Sequence, residues 1–495
     1  MNAPTTYRTL HAVAALWAVT TACGQWSFTL DTTFRTVITQ QSLNAAILLP
    51  DSGLFLSGLI RFPGDLSNRG SAKLLQDGSR DLTFPQYPLT TGGGKIVPWN
   101  GQFYVSAVAV RRMTPGGLID PSFITMNASP YFYSLTYGDY HVYADGAVLA
   151  SGQHLLSDST RGFVGFYDLI WFSNTGYLDT TKVHRQSNGI MWEFKELPDG
   201  KFICSCSCTQ YEGQPVDKVF RVYPDGTLDT TFHTGINMGN IYAYHPLPDG
   251  RVLLGGSFRR AADPNQLLQL VRLLPDGSLD PTFENFHQFD IGILDGTPQV
   301  QRIEPWQADK YFVMGLYRGV DGDERGGICV IDTTGALLPL MDECLNGPFT
   351  YQGLTAASIH GILPTPDSSG FYLWGSYTGY DDGTVNDTLQ RFVSRLLVEE
   401  LSTPVVEAVQ ASVTLSLSPN PADRTILLSW GVQDKPGGSG QLSVVSAQGQ
   451  LLRTVPIVLA DKSYALDVSN YAAGLYHLHL VVDGQWVSGA KVVVE

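Results

Sequence analysis

A chain of 495 residues is too long for one ordinary core and long enough for two or three domains. With 43% hydrophobic and 16% charged residues it is globular rather than disordered, and 51 Gly and 28 Pro without helix-forming runs point to short strands and tight turns. A formal charge of −15 argues against nucleic acid as a partner, because nucleic-acid binders carry a basic face.

The first residues read as a targeting segment. Arg8 precedes an apolar stretch over residues 10–22, and Ala22, Cys23 and Gly24 supply the small residues of a secretory cleavage site. The apolar stretch is too short to span a bilayer, and no later segment reaches the roughly 18–20 apolar residues that spanning requires. Cleavage after Gly24 would leave Gln25 first. Acylation of Cys23, as in a lipoprotein, stays open beside it, although Thr20 stands where an apolar residue is usual.

From residue 28 onward one phrase recurs. It reads Leu-Pro-Asp-Gly-Ser-Leu-Asp-Pro-Thr-Phe at 274–283 and Tyr-Pro-Asp-Gly-Thr-Leu-Asp-Thr-Thr-Phe at 223–232. Looser copies occupy 75–84 and 114–123, and eroded ones 173–182 and 332–341, giving a period near 50. A second Pro-Asp-Gly turn lies midway, as at 247–258 and 197–203. Pro presets φ and Asp-Gly tolerates positive φ, so each turn between apolar runs is a hairpin signal. One unit then predicts four strands, in the best copy near 241–247, 251–258, 267–274 and 278–283, which is the pattern of a propeller blade. Six complete units and two halves are present. The orphan tail at 28–34 complements the last unit, 356–400, which lacks its own tail. Joining them predicts seven four-stranded blades, with the N-terminal strand closing the last.

These phrases resemble the delta-60 repeat, a β-propeller-like repeat of bacterial surface and exported proteins, over roughly residues 28–400. The copy at 332–341 departs from it in having Leu338 for the usual Asp. The resemblance implies no reaction; the repeated Asp and Thr or Ser read as turn-capping groups.

Five cysteines follow the leader. Cys204, Cys206 and Cys208 alternate along a predicted strand and share one face, which reads as a packed row of small side chains rather than a metal site. Cys329 and Cys344 flank one turn region and are a candidate disulfide. Two acidic loops stand in corresponding places of successive units: Asp321, Asp323 and Glu324 in one, Asp381 and Asp382 in the other. Hard oxygen ligands on a loop suit calcium, the one cofactor these residues admit.

After Glu400 the composition shifts. Residues 401–411 read as a linker, and 412–495 hold short alternating strands suited to a small immunoglobulin-like β-sandwich. This segment resembles the type A C-terminal sorting domain of the type IX secretion system. The matching residues are Pro419, Asn420 and Pro421 at its start, Gly474 and Tyr476 in the Ala-Gly-Leu-Tyr element, and Lys491 in the closing strand. The resemblance implies a Gram-negative Bacteroidetes-type bacterium, handling by that secretion machinery, and a destination outside the cell or on its outer surface.

Catalytic motifs fail one by one. There is no Gly-x-Ser-x-Gly elbow and no His-Glu-x-x-His zinc helix. Gly92, Gly93, Gly94 and Lys95 lack the spacing of a phosphate loop and read as a turn; His477 and His479 share a strand face of the last domain. The expectation is a monomeric exported propeller of domains 1–24, 25–400, 401–411 and 412–495 that holds a glycan or protein ligand. The alternative is a polysaccharide hydrolase or lyase with paired carboxylates in the central funnel.

Overall fold

The computed structural model describes residues 25–85, 87, 94–106, 109–124, 132–401, 413–432, 439–447, 451–482 and 485–495; the leader and residues 402–412 lie outside these. Two compact units result, one of Trp26–Glu399 and one containing Glu400–Glu495.

The larger unit is a β-propeller. Each Asp-Gly turn reverses the chain, so consecutive strands pair antiparallel as meanders: Gln40–Leu48, Leu54–Arg61 and Arg69–Leu74 form the first. Comparable triples begin at Ile96, Phe132, Met191, Ile236, Gln299 and Ser358. In the best copy of the repeat the strands are Ile236–Pro246, Val252–Arg260 and Asp263–Leu273. The fourth strand differs from expectation. It is cut to a single bridge, Leu273 with Leu279, and the same bridge recurs as Leu74 with Arg80 and Val222 with Leu228. The cause is the Asp of the phrase: Asp280 Oδ1 accepts from the Thr282 N–H at 2.9 Å and from its hydroxyl at 2.6 Å, turning the chain out of the ladder.

That Asp also binds across the blade. Its other oxygen takes Arg272 Nε at 2.7 Å, the guanidinium lies 4.8 Å from the Phe283 ring, and Nη1 reaches Thr333 O in the next meander at 2.5 Å. Arg221 repeats this with Asp229, Phe232 and Pro275, and Arg112 with Asp120, Phe123 and Asn174. The two eroded copies lose the arginine and the phenylalanine together, with Trp171 and Val330 standing where the arginine would be, and only the first keeps its Asp, as Asp179.

The ends of the unit meet by the same device. The strand Gln25–Leu30 lies beside Asn386–Leu401 in one sheet. Arg395 Nε binds Asp31 Oδ2 at 2.7 Å, covers the Phe34 ring at 5.2 Å, and reaches Gln76 O of the first meander at 2.7 Å. Apolar clusters then fill the spaces between successive meanders; one joins Leu54, Leu56 and Leu74 of the first to Tyr372, Trp374 and Val393 of the last.

The smaller unit has two antiparallel sheets. Val413–Ser418, Thr425–Val432 and Ser463–Asp467 make one, and Leu451–Val458, Ser439–Ser446, Gly474–Val482 and Gln485–Val494 the other. Both contribute to one core around Ile426, Leu428, Leu442, Leu478 and Leu480. No helix among the described residues is long and apolar enough to cross a membrane.

The cysteines correct two expectations. Cys329 and Cys344 are free, buried thiols. Alternation along Ile328–Asp332 sends Cys329 and Ile331 into one inter-blade cluster but Ile328 and Val330 into the next, where Cys344 lies; the two sulfurs face different cores and do not pair. Cys206 and Cys208 are bonded instead, with Cα atoms 5.1 Å apart, because the strand ends at Cys206 and the chain bends at Ser207. All three of Cys204, Cys206 and Cys208 pack in one core cluster.

Candidate functional site

The first strand of each meander lies toward the cavity described below, and in six of the seven the register skips along it. In the first meander Leu43 pairs with Gly58 and Ala45 with Ser57, leaving Asn44 extra. The register skips likewise at Gly138 and Asp139, at Trp192 and Glu193, at Tyr242, at Gln301 and at His360. In the second meander the strand Ile96–Trp99 pairs in register, and just before it the Gly94 N–H donates to Ser106 O at 2.9 Å while Lys95 O accepts from the Ser106 N–H at 3.2 Å. A bulge adds a residue without a partner strand position and re-aims its side chain. Here these segments converge: Asn44, Lys95, Asp139, Glu193, Tyr242, Gln301 and His360 all line one central cavity of about 330 Å³.

The charges in its wall are arranged in pairs. Lys95 Nζ lies 3.0 Å and 3.1 Å from the two oxygens of Asp139 and 2.9 Å from Tyr140 O. Arg302 Nε lies 3.2 Å from Glu304 but finds no hydrogen-bond partner among the described residues. Burial raises the Glu193 carboxyl well above the usual carboxylate range, and the adjacent Asp139 carboxylate, which is hydrogen-bonded to it, adds to the shift against the pull of Lys95 and Arg302. The shift favours the protonated form of Glu193. His360 donates from Nδ1 to Leu43 O at 2.7 Å, so its Nε2 accepts from the Ser358 hydroxyl at 2.8 Å; burial lowers its pKa and keeps it neutral.

A second cavity, about 240 Å³, shares Glu193 and Tyr242 with the first and adds Trp192, Lys218 and Asn240. Lys218 Nζ is fixed to Cys208 O at 3.0 Å, which ties this wall to the Cys206–Cys208 bond.

The acidic loops form no such centre. Asp321 accepts from His287 Nδ1 at 2.6 Å and Gln288 N at 2.7 Å, Glu324 from Arg318 Nε at 3.1 Å, and Asp323 lies 3.6 Å from Arg325. Asp381 takes Gly383 N and Asn386 Nδ2, each at 3.0 Å, and Asp382 takes Thr384 N and Val385 N, each at 2.7 Å. The two loops do connect corresponding strands of neighbouring meanders, but their oxygens face nitrogen donors. Among the described residues no group of three or more His, Cys, Asp and Glu is placed to hold a metal ion.

In the smaller unit the motif residues are brought together. Asn420, between Pro419 and Pro421, donates from Nδ2 to Lys491 O at 2.9 Å and accepts at Oδ1 from Val493 N at 2.9 Å, clipping the entry of the domain to its last strand. Gly474 opens the strand that carries Tyr476, whose hydroxyl donates to Ala472 O at 2.7 Å. His477 and His479 pair across that strand with Lys491 and Gly489.

No contiguous motif marks the central residues. A positional signal was available: Asn44, Gly138, Trp192, Tyr242 and His360 each precede by seven the Asp of the mid-blade turn, at Asp51, Asp145, Asp199, Asp249 and Asp367. Lys95 follows three glycines in the sequence, which gives it no role beyond a turn.

Comparison with known proteins bears on both units. Residues 197–232 and 247–283 match the family model described as Domain of unknown function (DUF5122) beta-propeller, and residues 416–495 match that of the Secretion system C-terminal sorting domain. The chain therefore carries β-propeller repeats of the first family and a type IX sorting domain, which marks it as a secreted or cell-surface protein handled by that machinery. No curated protein matches it. Among solved structures it is similar to dimeric latent PorU from Porphyromonas gingivalis at 11% identity and a TM-score of 0.15, over 73% of this chain and 32% of that one. The chain thus spans about a third of that protein's length.

Proposed function

We propose that this exported propeller is a binding protein whose ligand enters the central cavity, and that its ring has seven blades, one per meander. The bulges on six of the seven inner strands carry the reading: a structural channel needs none, whereas bulges beside a site re-aim side chains toward a common point. The hydrolase alternative is weaker. Glycosidase carboxyls stand roughly 5–9.5 Å apart to admit an anomeric carbon or a water. Asp139 and Glu193 touch each other, and Lys95 already occupies Asp139.

The test is retention of the full chain on immobilised polysaccharides, with product masses followed in parallel. The expected result is retention without any mass change, weakened by Tyr242→Ala. A new product mass that disappears with Glu193→Gln would establish the hydrolase instead.

A further inference from the structure

Resting on the cavity reading, we propose that the ligand of the central cavity is an anionic saccharide, a uronate chain whose carboxylate is held by Lys195 and Arg302. Three cations meet around the cavity, and two carboxylates answer them. Lys95 Nζ takes Asp139 at 3.0 Å, and Arg302 Nε stands 3.2 Å from Glu304. Lys195 has neither an ion pair nor a hydrogen bond among the described residues. It lies two positions beyond Glu193 on the strand Met191–Glu196, so alternation puts both on one face. Glu196 turns to the other face, 3.6 Å from His141 Nε2. The Lys195 side chain is exposed, yet burial by the surrounding wall and the charges of Lys95 and Arg302 lower its pKa against the pull of Asp139 and Glu304. This is an ammonium open to solvent inside a concavity.

Arg302 is loosely engaged as well. Its Nε is buried without a hydrogen bond, because the nearby Glu304 oxygen is out of line with it, and 39% of the side chain is exposed. A guanidinium with unspent donors beside an unpaired ammonium suits a carboxylate. Three histidines feel the same surplus of positive charge. Burial lowers His141 to about 4, with Lys95 and Lys195 adding to it; Lys195 and Arg302 likewise add to the lowering of His245 and His360. On a chain of net charge −15 such a surplus does nothing for solubility, whereas it draws an anion to the axis. The rest of the wall fits a hydroxylated frame. Gln301 Oε1 is buried without a partner among the described residues, an acceptor suited to a hydroxyl, and Tyr242 presents apolar area with a polar tip. The cavity, about 330 Å³, is of small-molecule size, which suits the end of a chain.

The experiment is calorimetric titration of the full chain with uronate hexasaccharides: oligogalacturonate, oligomannuronate and oligoglucuronate. Fully methyl-esterified oligogalacturonate is the neutral counterpart and chitosan oligosaccharide the cationic one. Saturable binding of a uronate is expected, weakened about tenfold by Lys195→Gln and by Arg302→Gln and reduced by added salt. Lys195→Arg, which keeps the charge, is expected to retain most of it, and Lys182→Gln, at an exposed position outside the cavity wall, all of it. Preferred binding of the methyl ester or of chitosan, lost with Tyr242→Ala, overturns the anionic class and leaves the cavity reading standing. Uronate binding lost with Tyr242→Ala but indifferent to Lys195→Gln and Arg302→Gln overturns the assignment of the carboxylate. Uronate binding indifferent to all three variants overturns the cavity reading too. No binding by any probe overturns the uronate class, and the cavity reading falls with it only if no immobilised polysaccharide retains the chain either.

Discussion

Arg272 makes three kinds of contact at once: an ion pair to Asp280 at 2.7 Å, a cation–π contact to Phe283 at 4.8 Å, and a bond to the next blade at Thr333 O. Both side chains of the ion pair are at most 5% exposed, so removing one partner strands a buried charge. Arg272→Ala is expected to cost about 3 kcal/mol or more by urea unfolding. Asp179, in an eroded copy, keeps only the cap on Thr181, and Asp179→Ala is expected to cost about 1 kcal/mol. The same carboxylates set the acid response. The Thr83 hydroxyl and N–H and the Lys73 ammonium bring Asp81 down to about 2 against its burial; burial works to raise Asp120, Asp229 and Asp280, yet Ser122, Gln102 and Arg112 hold the first lower still, Thr231, Lys201 and Arg221 the second, and Thr282, Arg251 and Arg272 the third. A carboxylate with a depressed folded pKa contributes stability above its unfolded value of 3.8 and loses it as pH falls. Urea midpoints are therefore expected to drop steeply from pH 4 toward pH 2. Glu193 has the opposite sign. Its raised folded value means that the native state keeps a proton the unfolded chain releases above 4.5, so it removes stability as pH rises from there. Glu193→Gln is expected to flatten that part of the profile between pH 5 and pH 8.

At the scale of the element, two kinds of Asp-Gly turn look alike in sequence and differ in surroundings. Gly277 has φ +91°, and a Cβ there would meet His233 O of the preceding blade at 2.7 Å; the His233 N–H bonds Asp276 O across the same seam at 2.9 Å. Gly250 has φ +85°, but its nearest obstacle is Pro275 Cγ at 3.5 Å. Both alanine variants incur the positive-φ strain of about 1–2 kcal/mol, and only Gly277→Ala also displaces backbone. Thermal unfolding is expected to rank Gly277→Ala clearly below Gly250→Ala. Period and turn chemistry made these hairpins legible from sequence, because Pro-Asp-Gly acts locally. The missing fourth strand was not legible, since only the fold reveals that Asp280 spends its oxygens on Thr282 and Arg272. Cys329 shows the same limit: proximity along the chain suggested a bond to Cys344, and strand alternation, which decides the facing core, forbids it.

For the whole molecule, closure is the organising event. Its unpaired N-terminal phrase meets the chain's last repeat through Asp31 and Arg395, repeating between residues 364 positions apart the contact that Arg272 and Asp280 make within one repeat. Closure also assembles the centre, because residues from every inner-strand segment line one cavity only when the ring is complete. This explains why the repeats were readable and the site was not: Lys95, Glu193 and Gln301 belong to no shared motif, and their convergence is a property of the ring. The most direct test of a ligand held at that centre is hydrogen exchange of the full chain with and without an oligosaccharide of a polysaccharide that retains it. The expected result is slowed exchange in the inner-strand segments around Asn44, Asp139, Glu193, Tyr242, Gln301 and His360. Protection confined to the outer turns, with the inner strands unchanged, would contradict it.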